Sequence, residues 1–236
     1  MKQVEECLIC GKKLKYLNES EEMECVICGK KVMSKACCVD GHFVCDECHN
    51  KGVDLIKFAC LSSSSKNPYE IITDIMKKDF IHMHGPEHHT LVGAALLTAY
   101  KNAGGDIDLE KALKEMEIRG PQVPGGACGF WGACGAGVSV GIFISIITEA
   151  SPLTTETWGQ SNLATSEALK KIGEVGGPRC CKRDSYLAIG TAIDFVADKF
   201  GISMEKSDVT CQFSDRNAQC IGKRCPFNPK NKITDI

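Results

Sequence analysis

The first ten residues, Met1 to Cys10, hold no apolar stretch, so the sequence predicts no secretory leader. No apolar run approaches the ~20 residues that a bilayer-crossing helix needs. The longest, Val138 to Ile147, is itself interrupted by Ser139, Gly141 and Ser145. Neither sign of charge dominates: the net charge is −2, which provides no basic field for nucleic acid. Residues 61–127 contain no cysteine, no alternating strand pattern stands out beyond residue 67, and no internal repeat is visible. With 25% charged and 43% hydrophobic residues, the 236-residue chain is no disordered segment; it suits one medium domain or two small ones. These absences predict a cytoplasmic protein without membrane or nucleic-acid partners.

What the chain does have is sixteen cysteines: nine in residues 1–60, four in 128–181 and three in 211–225. In a reducing compartment, closely spaced cysteines are metal ligands or redox pairs more often than disulfides. Ser62 to Ser65, followed by Lys66-Asn67-Pro68, reads as a polar linker. The expected fold is therefore a small N-terminal two-zinc finger, of zinc-ribbon or cross-brace type, followed by a mostly α-helical domain. The expected organisation is a finger module over 1–60, a linker over 61–67, a helical domain over 68–205 and a cysteine-rich tail over 206–236.

Helical periodicity begins at the linker. Asn67 offers an N-cap, Pro68 an N1 residue and Glu70 an acid at N3, ahead of Ile71, Ile72, Ile75 and Met76. A second helix is expected from Pro86 to Asn102, stopped by Gly104-Gly105, and a third after Asp108. The run after Cys134 fits a buried helix or a strand; helix is favoured because Gly137 and Gly141 make one small face. Asn162–Val175 and Ser185–Phe200 complete the set.

Three Cys-x-x-Cys pairs, Cys7/Cys10, Cys25/Cys28 and Cys45/Cys48, together with Cys38 and His42, supply eight ligands for two closed tetrahedral zinc sites. A cross-brace arrangement puts Cys25, Cys28, Cys45 and Cys48 at one ion and Cys7, Cys10, Cys38 and His42 at the other. A ribbon arrangement instead groups Cys7, Cys10, Cys25 and Cys28. Cys37 can substitute for Cys38, and His49 for His42. Such zinc is structural, because about 60 residues bury too little apolar surface alone. A protein partner is the natural role for the finger: its lysines are balanced by Glu19, Glu21, Glu22 and Glu24.

Four later segments carry chemistry. His82-Met83-His84-Gly85-Pro86-Glu87-His88-His89 places His88 and His89 in a helix's first turn, where neutral imidazole is favoured for base or ligand work. Arg119 opens a segment with seven glycines in residues 120–137, in which Gly125 and Gly126 permit close approach of a ligand. Within it lie Cys128 and Cys134, the latter at a helix start that should lower its thiol pKa. Arg179-Cys180-Cys181-Lys182-Arg183 offers one metal ligand, with cations for an anionic substrate or a thiolate. Cys211, Cys220 and Cys225-Pro226 suit an iron–sulfur cluster or a third zinc.

Cys7–His49, His84-Gly85-Pro86-Glu87-His88-His89, Gly126-Ala127-Cys128-Gly129 and Gly177-Pro178-Arg179-Cys180-Cys181-Lys182-Arg183 resemble an uncharacterised cysteine-rich family of anaerobic bacteria and methanogens, whose members are sometimes joined to methyltransferase-like domains. Two segments, Cys128-Gly129-Phe130-Trp131-Gly132 and Cys180-Cys181-Lys182-Arg183-Asp184-Ser185, are also similar to parts of iron–sulfur-dependent serine dehydratases and cysteine desulfidases. That likeness implies a helical fold and a [4Fe–4S] cluster held by three cysteines, with one iron open as a Lewis acid. The expected function is an iron–sulfur enzyme of lyase or sulfur-handling type acting on a small anionic, amino-acid-like substrate. Its expected cluster ligands are Cys128, Cys134 and Cys180 or Cys181, with Cys211, Cys220 and Cys225 as a second group. His88 or His89 is the expected base, Cys134 and Arg119 catalytic partners, and Arg179, Arg183, Gly125 and Gly126 substrate contacts. The alternative is a non-catalytic zinc or iron–sulfur adaptor, or a sulfur or metal carrier, serving a methyl-transfer or cofactor-assembly partner.

Overall fold

Two compact units divide the chain, residues 1–52 and 53–236. The computed structural model describes residues 7, 12–26 and 29–231, and residues 16, 46–47 and 49–54 by backbone alone. In the first unit, β1 (Leu14–Glu24) and β2 (Lys31–Cys38) form an antiparallel hairpin. Leu14 pairs with Cys38 at one end and Glu24 with Lys31 at the other, with a register break between Tyr16 and Glu21. Buried Cys25, Cys37, Phe43, Cys45 and Cys48 cluster here, so this small core is mostly sulfur.

Helix α1 (Asp46–Leu61) runs from the first unit into the second. Its later turns carry Ile56 and Cys60, which are fully buried in the helical core although the sequence reading counted Cys60 with the finger. The other helices among the described residues are α2 (Pro68–Met76), α3 (Glu87–Asn102), α4 (Leu109–Arg119), α5 (Ala127–Phe130), α6 (Gly135–Ile147), α7 (Glu156–Val175) and α8 (Cys181–Phe200). The expected caps form: Asn67 Oδ1 accepts the Tyr69 N–H at 3.0 Å, and Asp108 Oδ1 accepts the Lys111 N–H at 3.1 Å. α7 and α8 start six and four residues earlier than periodicity suggests, because their first turns are polar and offer no apolar stripe. None of the described helices is long and apolar enough to cross a membrane.

α3 is buried on nearly every side and packs against α2, α4, α6 and α8. The residues after Cys134 are helical, and their small face meets α7. A Cβ on Gly137 would press on Leu169, and one on Gly141 would overlap Thr165 Oγ1 and lie 3.0 Å from the Ser161 carbonyl. Gly141→Ala is therefore expected to destabilise the helical unit by about 1–3 kcal/mol in denaturant unfolding, since a backbone atom must move. Gly159→Ala on α7, where a Cβ meets nothing within 4 Å, should be neutral or mildly stabilising.

After Gly201, in the left-handed conformation at the end of α8, the described residues form no further long element. The chain returns across the fold: the Glu205 N–H donates to the Lys66 carbonyl at 2.9 Å, and Asn67 Nδ2 donates to Ser207 Oγ at 2.8 Å. Phe213 is buried in the core, and Phe227 sits edge-on to Tyr186 with ring centroids 5.3 Å apart. This return carries Cys211, Cys220 and Cys225 back to the start of α8.

Candidate metal centres

The N-terminal unit gathers two groups whose ligand atoms lie within 4.8 Å of one another: Cys7, Cys38 and His42, and Cys25, Cys45 and Cys48. Either group could hold a metal ion. Zinc bonds of about 2.3 Å to sulfur and 2.0 Å to nitrogen put tetrahedral ligands about 3.5–3.8 Å apart. Cys7 Sγ lies 3.8 Å from His42 Nδ1. The groups are interleaved along the chain, with Cys7 in one and Cys25 in the other. Cys10 and Cys28, the expected remaining ligands, lie outside the described residues, as does the His49 side chain. Of the two vicinal cysteines, Cys38 joins a ligand group while Cys37 packs in the small core, because successive strand residues face opposite sides.

Local turns place these ligands. Cys38 ends β2, and its sulfur accepts the Asp40 N–H at 3.3 Å. Gly41, at φ 85, turns the chain so that the His42 carbonyl accepts the Cys38 N–H at 2.8 Å. Cys25 follows β1, its carbonyl accepts the Gly29 N–H at 2.8 Å, and its sulfur accepts the Cys45 N–H at 3.4 Å.

In the helical unit, Cys180, Cys211, Cys220 and Cys225 line one cavity with Met83, Lys182, Tyr186, Phe213, Asn217 and Phe227. Each sulfur faces N–H donors. Asn217 Nδ2 donates to Cys180 at 3.4 Å, the Phe213 N–H to Cys211 at 3.4 Å, and the Gly222 N–H to Cys220 at 3.4 Å. The Phe227 N–H serves Cys225, and the Arg183 N–H adds to Cys180. Such donors stabilise thiolate ligands and tune the metal they hold. Burial pushes the Cys180 thiol up to about 11 and raises Cys211 and Cys225 as well, so metal must displace their protons. No three of these four sulfurs lie within 4.8 Å of one another, a wider spread than either N-terminal group.

The first residues of α8 divide between two environments. Cys180, its N-cap, enters the cavity, whereas Cys181 faces the Gly85 N–H and feels Asp184, Cys134 and Glu87. Asp184 is the hub there. Its Oδ1 accepts from Arg183 Nε at 2.9 Å, and its Oδ2 from the Cys180 N–H at 3.4 Å and the Cys134 thiol at 3.9 Å. Cys134 does start a helix, with the Ala136 and Gly137 N–H groups aimed at its sulfur. Yet burial and the Asp184 carboxylate outweigh them and push the thiol up to about 12, which corrects the expectation of a reactive thiolate. Cys128, half-buried in α5, feels Cys134 but does not line the cavity.

His88 is buried and kept neutral by burial; its Nδ1 donates to the Gly85 carbonyl at 3.1 Å, and its buried Nε2 has no partner. His89, also held below its ordinary pKa by burial, donates from Nδ1 to the Val123 carbonyl at 2.9 Å and rests on Gly135. The histidine and glycine segments thus meet beside Cys134. His84 Nε2 donates to Asn217 Oδ1 at 3.1 Å, one step from Cys180, and burial holds His84 down to about 4. Arg183 lines the cavity, where its Nε pairs with Asp184 and its guanidinium donates to the Pro178 carbonyl at 3.0 Å. Arg119 lies in a separate surface groove, bound to Glu115 at 3.0 Å and Ser145 at 3.1 Å. Arg179 has a buried Nε without a partner. Gly126, at φ 86, turns the chain into α5, and Gly125 faces open space. Sequence reasoning missed Asn217 and Asp184; no spacing marks either one.

A family model matches residues 56–228, from the end of α1 through the cysteine tail. The chain belongs to DUF5714, a family of unknown function. No curated protein and no solved structure matches it. The DUF5714 match takes in all four cavity thiols, with Cys128, Cys134 and Cys181, and leaves out both N-terminal ligand groups.

Proposed function

We propose that this chain is a cytoplasmic iron–sulfur enzyme of lyase or sulfur-handling type, acting on a small anionic, amino-acid-like substrate. The cavity formed by Cys180, Cys211, Cys220 and Cys225 carries the reading. Four thiols with N–H donors suit a cluster, and their spread suits a polynuclear core better than one zinc ion. Cys180, Cys211 and Cys225 are buried or half-buried, whereas Cys220 is exposed on the rim, the side from which a small molecule reaches an iron. Such an iron polarises a leaving hydroxyl or thiol without redox change. His89, neutral and beside Cys134, is the proposed base and Arg179 the proposed anion contact, although neither lines that cavity. The likeness of the Cys128 and Cys180 segments to iron–sulfur dehydratases supports the same class.

In the N-terminal unit the interleaved groups favour a cross-brace with two structural zinc ions, completed by Cys10 and Cys28. This unit is the proposed site for a protein partner. One observation favours the second reading, a non-catalytic carrier: four thiolates together saturate a cubane and leave no open iron.

Anaerobic purification followed by metal, acid-labile sulfide and visible-spectrum measurement tests the proposal. The expected result is zinc together with iron, stoichiometric sulfide and a broad visible absorption. Zinc alone, without sulfide or colour, would sink the cluster reading. A small amino acid that perturbs the cluster's spectrum favours the enzyme; silence across serine, cysteine and their analogues favours the carrier.

A further inference from the structure

Lys182 is 1% exposed, in the first turn of the 20-residue helix α8. Both facts are unfavourable: burial penalises the ammonium, and the positive end of the helix dipole repels it. The buried charged residues nearby relieve it only in part, chiefly through the attraction of Glu87. Arg183 and Asp184 pair with each other at 2.9 Å. Glu87 is engaged by His82 at 3.4 Å and His88 at 3.5 Å. Among the described residues no carboxylate lies within ion-pair distance of Lys182. The other charges that face it are Arg216, which adds to the repulsion, and the sulfurs of Cys180 and Cys181. Its Nζ donates to the His82 carbonyl at 2.7 Å and sits 5.0 Å from the centroid of the Phe213 ring. An ammonium has three donors, so this geometry leaves two for the cavity that Lys182 lines beside the four thiols.

Building on the cluster reading above, we infer that Lys182 is the fixed counter-cation of that cavity, a positioning residue that holds an anionic centre there and raises its reduction potential. A [4Fe–4S]2+ core carries a net charge of 2− with four thiolates and 1− with three. One electron, supplied in the test by dithionite, makes either state one unit more negative. A buried positive charge at the wall favours the more negative state. Arg183 also lines the cavity and acts on Cys180 and Cys225, but Asp184, paired with it at 2.9 Å, offsets part of its charge.

The test uses the full chain, reconstituted anaerobically with ferrous iron and sulfide, and reads the midpoint potential by EPR-monitored titration. Lys182→Met and Lys182→Gln are expected to lower the potential by about 59 mV or more, a tenfold change in a one-electron equilibrium. Lys182→Arg, which keeps the charge, should stay well within half of that shift. Loss of the cluster from both neutral variants with retention in Lys182→Arg also supports the role. An unchanged potential in the neutral variants overturns the inference and leaves the cluster reading standing. So does loss of the cluster from all three variants, or failure of the neutral variants to fold without metal by circular dichroism. Wild-type protein that takes up no cluster ends the cluster reading, and this inference with it.

Discussion

Cys38→Ala is expected to release one zinc per chain and unfold the hairpin, while Cys37→Ala keeps both ions. The two residues are neighbours at the end of β2, and the contrast follows from their sides. Cys38 faces Cys7 and His42, whereas Cys37 packs against the small core. That core is mostly cysteine, so little apolar burial remains once metal is gone. Zinc-finger peptides bind zinc with about 10–16 kcal/mol at neutral pH, and that binding energy is their folding energy. Cys37→Ala removes only one buried sulfur, a loss of about 1–2 kcal/mol. Zinc content and amide hydrogen exchange of residues 12–45 check the result. Protection along β1 and β2 should collapse in Cys38→Ala, and α3 should keep its protection. Equal zinc in both variants would remove the interleaved arrangement.

The second large effect concerns the other vicinal pair. Cys180→Ala should abolish nearly all iron and sulfide uptake, while Cys181→Ala should retain most of it. Cys180 is the N-cap of α8, yet its side chain makes no capping hydrogen bond, so alanine there removes a ligand without removing a cap. Cys181 faces Gly85 and Cys134 outside the cavity. Its loss costs local packing and leaves the four-thiol set intact. Iron, sulfide and far-ultraviolet circular dichroism on the same preparations separate ligand loss from helix loss. Equal retention of the cluster in both variants would place the centre elsewhere.

Much of the helical unit is legible in local chemistry. Asn67-Pro68 and Asp108 announce α2 and α4 through side chains that satisfy free N–H groups, and those bonds form as expected. Gly137 and Gly141 announce a close helix partner, though not that α7 provides it. α1 was hidden because its ligand residues dominate its first turns. The dipole argument for Cys134 named a real local field, but burial, together with Asp184 fifty residues away, reverses its effect. The same distance hides the role of Lys182, which from sequence alone is one cation in a basic turn.

Spacing by itself therefore determined most helices beyond residue 67, the cysteine-rich character and the residues able to ligate. Turns, caps and knuckles depend on neighbours within a few positions. Which potential ligands come together, which of two adjacent cysteines joins them, and which buried cation has no carboxylate within ion-pair distance were decided only by tertiary structure. Those outcomes depend on which side of a strand or helix start a residue occupies, and on where the returning tail brings Cys211, Cys220 and Cys225. Both are set by packing across long sequence separations, on which local pattern is silent.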